Sequence, residues 1–213
     1  KNKMKKLQVD LDLLSKEDAK EMLKKVGDYV DIIELGTPLM VSEGADVIRE
    51  IKPLYPEKTV FADIKIMDGG SIMADIAFQA GADMVSVLAQ ANDATIQDVI
   101  KTAKKYHGKV LVDMCAVKDI EARAKQIEPW GPDYICVHVG YDVQNTGADP
   151  VEEVKKLSAV KCEKAAAGGI KMATFEAACQ SDIDDIIVGG GLFNAPDPAV
   201  TAKQMYEILN KYR

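Results

Sequence analysis

One stretch of the sequence, Phe61-Ala-Asp63-Ile-Lys65-Ile-Met-Asp68, sets an ammonium among carboxylates within an otherwise apolar run. Read as a strand, it turns Asp63 and Lys65 to the same side, because strand side chains alternate with a period of two. Asp68 then falls in the loop that follows. Carboxylates on both sides of a lysine keep it charged and fix its aim. A cation held in this way suits electrophilic work, the stabilisation of an oxyanion that develops during reaction. The plainer reading, a surface ion-pair run, fits poorly between Val60-Phe61 and Ile64-Ile66.

Other ionisable residues close short β-branched runs in the same manner: Asp12, Glu34, Asp113 and His138. A single acid at the end of a strand is ordinarily a turn or cap residue. With Asp63 and Lys65 these make six, and burying six such groups on one rim without a ligand or metal is costly. His138 ends the apolar run Tyr134-Ile-Cys-Val-His138, where an imidazole can act as acid or base near neutral pH. Asp113 is the second acid–base candidate. His107, in Lys104-Lys-Tyr-His107-Gly, reads as a solvated turn residue. Gly168-Gly169 and Gly189-Gly190-Gly191 follow two further runs. Backbone N–H groups of Gly169, Ile170, Gly190 and Gly191 at helix starts form a phosphate site that needs no net positive protein.

The elements that carry these residues recur about every 25 residues, a period that marks a repeated β-α unit. Strands are predicted at Leu7–Asp12, Tyr29–Leu35, Thr59–Ile64, Met84–Leu88, Val110–Met114, Tyr134–His138, Asp185–Gly189 and, weakly, Lys164–Gly168. Amphipathic stretches with helical spacing lie between them, among them Ser15–Val26, Ile72–Ala80, Ala94–Tyr106 and Thr201–Tyr212. Ser15 is the predicted cap of the first and Gly27 its stop. Alternation of this kind demands parallel strands joined by right-handed crossovers. An open doubly wound sheet carries a glycine-rich turn after its first strand, and Asp12-Leu-Leu-Ser15 has no glycine. The prediction is therefore a single-domain (β/α)8 TIM barrel over residues 1–213, with residues 1–5 as a flexible N-terminal extension. Polar residues at the C-terminal strand ends are where such a barrel builds its site.

Composition narrows the function classes. The 213 residues carry 27 Lys and Arg against 34 Asp and Glu, a net charge of −7, which disfavours nucleic acid or an anionic membrane as partner. No apolar run approaches the roughly 20 residues of a membrane span. The four cysteines, Cys115, Cys136, Cys162 and Cys179, form no CxxC pair and read as small hydrophobes in a reducing compartment. The basic segment Lys1–Lys6 is not followed by a signal-peptide hydrophobic region. A cytoplasmic protein is expected.

Asp63-Ile-Lys65-Ile-Met-Asp68 resembles the DxKxxD signature of the orotidine-monophosphate-decarboxylase superfamily of barrels. Leu7-Gln-Val-Asp-Leu-Asp12, Asp31-Ile-Ile-Glu-Leu-Gly-Thr37, Gly81-Ala-Asp-Met-Val, His138-Val-Gly-Tyr-Asp142-Val-Gln144 and Val188-Gly-Gly-Gly resemble its 3-hexulose-6-phosphate synthase branch. The likeness runs from Leu7 to the C-terminal helix, and the HxGxDxQ string after the sixth strand narrows it to that branch. It implies a metal-dependent aldol condensation of formaldehyde with D-ribulose 5-phosphate, through an enediolate, to D-arabino-hex-3-ulose 6-phosphate. By that resemblance Glu34 and Asp63 are oxygen ligands for Mg²⁺ or Mn²⁺. Lys65 adds charge at the same oxygens. Asp12 and Asp68 bond sugar hydroxyls and orient Lys65, and His138 moves the C1 proton. In the superfamily the second Asp of the signature reaches into the neighbouring subunit's site, so Asp68 implies a homodimer with shared active sites.

Departures bear on the branch. The sister enzyme, 3-keto-L-gulonate-6-phosphate decarboxylase, has arginines where this chain has Tyr141 and Gly191, and glutamate at Asp113, so its activity is the alternative. A sugar-phosphate-binding barrel without turnover would have lost part of the acid–base or metal set, which is present. Ribulose-phosphate epimerase needs more histidines than two. Asp10 and Lys164 interrupt apolar strands, and odd-numbered strands share interior layers; the expectation is that they pair across the barrel.

Overall fold

The computed structural model describes residues 4–213, apart from the side chain of Thr146. Among these residues eight parallel strands follow one another around a closed barrel. They are β1 (Lys6–Leu11), β2 (Ile32–Leu35), β3 (Thr59–Ile66), β4 (Met84–Leu88), β5 (Lys109–Asp113), β6 (Tyr134–His138), β7 (Glu163–Ala167) and β8 (Asp185–Val188). The ring closes where Lys6 lies opposite Asp185 and Val9 opposite Val188. The predicted barrel is the observed one. β2 starts later than predicted because Gly27–Tyr29 forms a 3-10 turn. Of the expected extension, residues 1–3 lie outside the described residues. The Lys5 ammonium donates to the carbonyls of Ser181 (2.8 Å) and Ile183 (2.6 Å) at the barrel's base.

The connecting helices are α1 (Lys16–Val26), α2 (Thr37–Glu43), α3 (Asp46–Ile51), α4 (Gly70–Gln79), α5 (Asp93–Lys105), α6 (Ile120–Ile127), α7 (Pro150–Glu153), α8 (Met172–Gln180), α9 (Gly190–Phe193) and α10 (Pro198–Leu209). Ser15 caps α1 as predicted, accepting from the Asp18 N–H at 3.1 Å, and Ala19, Leu23 and Val26 form its buried face. Two strands are followed by a pair of helices where one was expected. After β2, Gly44 in the left-handed region (φ 66°) separates α2 from α3. After β8, Asp197 starts α10 afresh by accepting from the Val200 N–H at 3.1 Å.

Alternation divides each strand between two cores. Outward residues such as Val9, Ile33, Ala62, Val85, Val112 and Ile186 pack beneath the helices. Inward residues stack in layers of four from alternate strands. The strand registers, with a one-residue stagger per strand, order these layers from the base upward. They are Ile32, Met84, Tyr134 and Asp185; then Gln8, Phe61, Leu111 and Ala165; then Glu34, Ser86, Cys136 and Ile187; then Asp10, Asp63, Asp113 and Ala167. Apart from Asp185 and Gln8 the two lower layers are apolar, whereas three of the four residues in the top layer are acids.

This layering corrects one expectation. Ala165 and Ala167 hold the inward positions of β7, so Lys164 points outward, away from Asp10. The Lys164 ammonium instead pairs with Asp182. Its backbone N–H donates to the Asp184 carboxylate at 2.8 Å. β7 itself (Glu-Lys-Ala-Ala-Ala) has weak strand propensity and is held by neighbours on both sides.

The base layer contains one acid the site does not use. Asp185 is fully buried, and neither carboxylate oxygen has a hydrogen-bond partner among the described residues. Burial pushes its carboxyl up to about 8, so the group is a neutral acid at neutral pH. Lys6, from β1, bonds the Tyr134 hydroxyl (2.9 Å) and pairs with Glu163 beside it.

Candidate active site

The mouth of the barrel gathers the predicted residues. β3 departs from a regular pleat here: between Ala62 and Ile66 its pairing with β4 shifts, and four residues cover what two cover on β4. Lys65 takes a left-handed backbone (φ 42°) within this bulge, a conformation that costs a non-glycine residue on the order of 1 kcal/mol. Ser86 of β4 holds it there. The Lys65 N–H donates to the Ser86 hydroxyl at 2.8 Å, and that hydroxyl donates to the Asp63 carboxylate at 2.6 Å. Thr37, at the start of α2, donates to the other Asp63 oxygen at 2.7 Å. The Lys65 ammonium pairs with Asp63 and lies 3.8 Å from Asp113. Burial works against its charge, but Asp63 and Asp113 outweigh burial and hold it above the ordinary lysine range.

Asp113 and His138 form a second unit. Asp113 Oδ2 lies 2.9 Å from His138 Nδ1, and Oδ1 accepts from the Cys115 N–H at 2.8 Å. Burial alone would raise the Asp113 carboxyl; the His138 bond and charge, with Lys65, bring it below its ordinary value. Burial alone would lower the His138 imidazole, and the Asp113 bond and charge raise it above 6.5. With Asp113 ionised, the neutral ring places its proton on Nδ1 and leaves Nε2 as a base.

The third group is acidic. Burial drives the Glu34 carboxyl well above its usual range, and the charges of Asp10 and Asp63 push the same way. Gln8 steadies Glu34 through a 2.6 Å bond from its amide. Asp10 is also raised well above the usual range, first by burial and then by Asp12 and Asp63; Asp12 is raised by burial. Gly36 lies against both Asp10 and Asp12, and a methyl group there would overlap their carboxylates. Asp10 Oδ1 and Gln8 Oε1 are buried without a partner among the described residues. Four acids around one ammonium, with orphaned oxygens, suit a hard divalent cation bound through oxygen.

The remaining predicted residues divide. Gly168 (φ 102°) and Gly169 (φ 78°) turn the chain after β7, and Ile170 is buried. Gly191 packs so closely on the Ile170 carbonyl that a side chain would overlap it, which brings the β7 and β8 turns together. Gln144, Asp149, Gly169, Ile170 and Thr174 line one cavity of about 220 Å³, and Gly190 and Gly191 are not among its lining residues. Asp68 is not part of the cluster. It sits exposed in the loop before α4, next to Met67, Ile72, Met73 and Ile76, all of them exposed. His107 is an exposed turn residue with φ 53°. Cys136 and Cys179 are buried, whereas Cys115 and Cys162 are half-buried. Sequence reasoning missed Ser86, Thr37 and Gln8 as supports of Asp63, Lys65 and Glu34; Ser86, a lone hydroxyl within Met84–Leu88, was the most visible signal. Among the described residues no helix is long and apolar enough to cross a membrane.

Comparison with known proteins places this geometry. Residues 5–205 match the model of the orotidine 5'-phosphate decarboxylase / HUMPS family. The 3-hexulose-6-phosphate synthase of Bacillus subtilis (strain 168) is 46% identical over 205 residues, covering 95% of this chain and 98% of that one. The crystal structure of 3-hexulose-6-phosphate synthase from Salmonella typhimurium superposes with a TM-score of 0.95 at 40% identity, covering 98% of this chain and all of that one. The 3-keto-L-gulonate-6-phosphate decarboxylase of Vibrio cholerae is more distant, with a TM-score of 0.87 and 28% identity over 99% of both chains. The chain therefore belongs to the orotidine 5'-phosphate decarboxylase / HUMPS family and, within it, to the 3-hexulose-6-phosphate synthases, which are enzymes of the aldehyde-lyase class.

Proposed function

We propose that the enzyme condenses formaldehyde with D-ribulose 5-phosphate to give D-arabino-hex-3-ulose 6-phosphate, reversibly, at the mouth of the barrel. The observation that carries this reading is the Asp113–His138 pair, 2.9 Å apart, with the Lys65 ammonium 3.8 Å from the shared carboxylate. A base beside a fixed cation is what removal of a proton next to a carbonyl requires.

His138 Nε2 takes a proton from C1 of ribulose 5-phosphate, and Asp113 stabilises the imidazolium that results. Lys65, anchored by Asp63, faces the oxygen on which charge develops. The nucleophilic C1 attacks the formaldehyde carbon. The new alkoxide recovers the proton from His138, so the residue ends as it began. Glu34 and Asp63 would hold Mg²⁺ or Mn²⁺, which when bound supplies Lewis-acid charge beside Lys65. Asp12 bonds sugar hydroxyls, and the backbone at Gly169, Ile170, Gly190 and Gly191 receives the phosphate.

Asp68 acts in the site of a second subunit. The exposed apolar face formed by Met67, Ile72, Met73 and Ile76 adjoins it and supports a homodimer with shared sites. In ¹³C NMR, labelled formaldehyde with ribulose 5-phosphate and Mg²⁺ is expected to yield a new hydroxymethyl carbon, lost on adding EDTA. Absence of that carbon with Mg²⁺ present would reject the reading.

A further inference from the structure

We propose that Asp113, Cys115 and His138 form a site for a thiophilic transition-metal cation such as Zn²⁺, and that a cation held there inhibits the enzyme. A carboxylate oxygen, a thiol sulfur and an imidazole nitrogen from these three residues all lie within 4.8 Å of one another. The set is chemically distinct from the all-oxygen cluster of Glu34 and Asp63. A thiol and an imidazole favour zinc, copper or cobalt, whereas magnesium seeks hard oxygen donors. Three protein ligands that leave a fourth position open to solvent or substrate form the pattern of accessible zinc sites.

The backbone prepares this arrangement. Cys115 lies two residues beyond Asp113, and its N–H is bonded to the Asp113 carboxylate at 2.8 Å. Ala116 takes a left-handed backbone (φ 60°), and its carbonyl is fixed by the Gln90 amide at 2.5 Å. The Cys115 sulfur rests against Gly140, just after His138, where a side chain's first carbon would come within 3.3 Å of it. Bonds of about 2.0–2.3 Å around a tetrahedral ion set its ligands about 3–4 Å apart. The three donors therefore lie within about 1–2 Å of a bound arrangement, and Cys115 is half-buried. Burial and the Asp113 charge keep the free thiol protonated. The cation displaces that proton, and the imidazolium proton when present, to solvent, so affinity rises with pH.

The inhibitory half rests on the proposed role of His138 as base; the binding half does not. Full-length protein with excess Mg²⁺ is titrated with Co²⁺ while the thiolate-to-cobalt charge-transfer band in the near ultraviolet is recorded. One equivalent of band is expected, abolished in Cys115→Ser and in Cys115→Ala, and competed away by Zn²⁺. No band in the wild-type protein, or an undiminished band in both variants, would overturn the site. In turnover assays both variants keep the uninhibited rate, and half-inhibition needs about tenfold more Zn²⁺ or higher, as for loss of a thiolate ligand. A Cys115-dependent band without any inhibition by Zn²⁺ would overturn the inhibitory half and remove His138 as the base, while the binding half would stand.

Discussion

Replacing Asp185 by asparagine is expected to stabilise this protein at neutral pH without altering turnover. The carboxyl is fully buried in the base layer, has no hydrogen-bond partner among the described residues, and titrates at about 8 instead of 3.8. An acid raised in this way contributes stability that is present below 3.8 and lost as the pH climbs toward 8, because the unfolded chain ionises first. At pH 7 the separation from 3.8 is about 3 units, and at 1.36 kcal/mol per unit the native state forgoes about 4 kcal/mol. Asparagine has nearly the shape of the neutral acid and cannot ionise. Asp185→Asn should therefore gain up to about 4 kcal/mol at pH 7, a rise in Tm of about 10 °C for a chain of this length. The gain should shrink to almost nothing at pH 4. Urea unfolding of both proteins from pH 4 to pH 8 measures it. A variant less stable than wild type at pH 7, or a difference that does not change with pH, would refute the reasoning. Loss of turnover would refute the separation of base from mouth, since the site lies at the opposite end of the barrel.

Three further outcomes concern the mouth. Activity governed by neutral His138 should rise with pH through a midpoint above 6.5, and Asp113→Asn should move that midpoint down while lowering kcat about 10²-fold, as read from the pH profile of kcat/KM. Lys65→Met should lower kcat about 10²- to 10³-fold with little change in KM, because its charge serves the developing oxyanion. Glu34→Gln should raise Tm in EDTA, since burial penalises the native carboxylate, and should abolish the further rise that Mg²⁺ gives wild type.

The barrel was legible because eight β-branched runs and the helices between them repeat, and β4 and β6 begin and end where their apolar runs do. The acids of the rim were legible for a related reason: an ionisable residue closing an apolar strand has few structural uses. Supports were not. Ser86 and Thr37 are common residues whose hydroxyls gain meaning only when β4 and α2 come up against β3. The bulge that sets Lys65 was hidden because alternation across Asp63 and Lys65 survives it. Asp10 and Lys164 failed as a pair through parity: one step along β7 exchanges the inward Ala165 for the outward Lys164. Cys115 read as an inert hydrophobe because its neighbourhood is created by the β6 loop, distant in sequence.

The claim that His138, Asp113 and Lys65 form an enediolate from a sugar phosphate is tested most directly by isotope exchange without formaldehyde. Ribulose 5-phosphate is incubated with enzyme and Mg²⁺ in D₂O and followed by ¹H NMR. The account predicts enzyme-dependent exchange of one C1 proton, nearly abolished in His138→Asn and in Lys65→Met. Exchange at the wild-type rate in His138→Asn, or none in the wild-type enzyme, would contradict it.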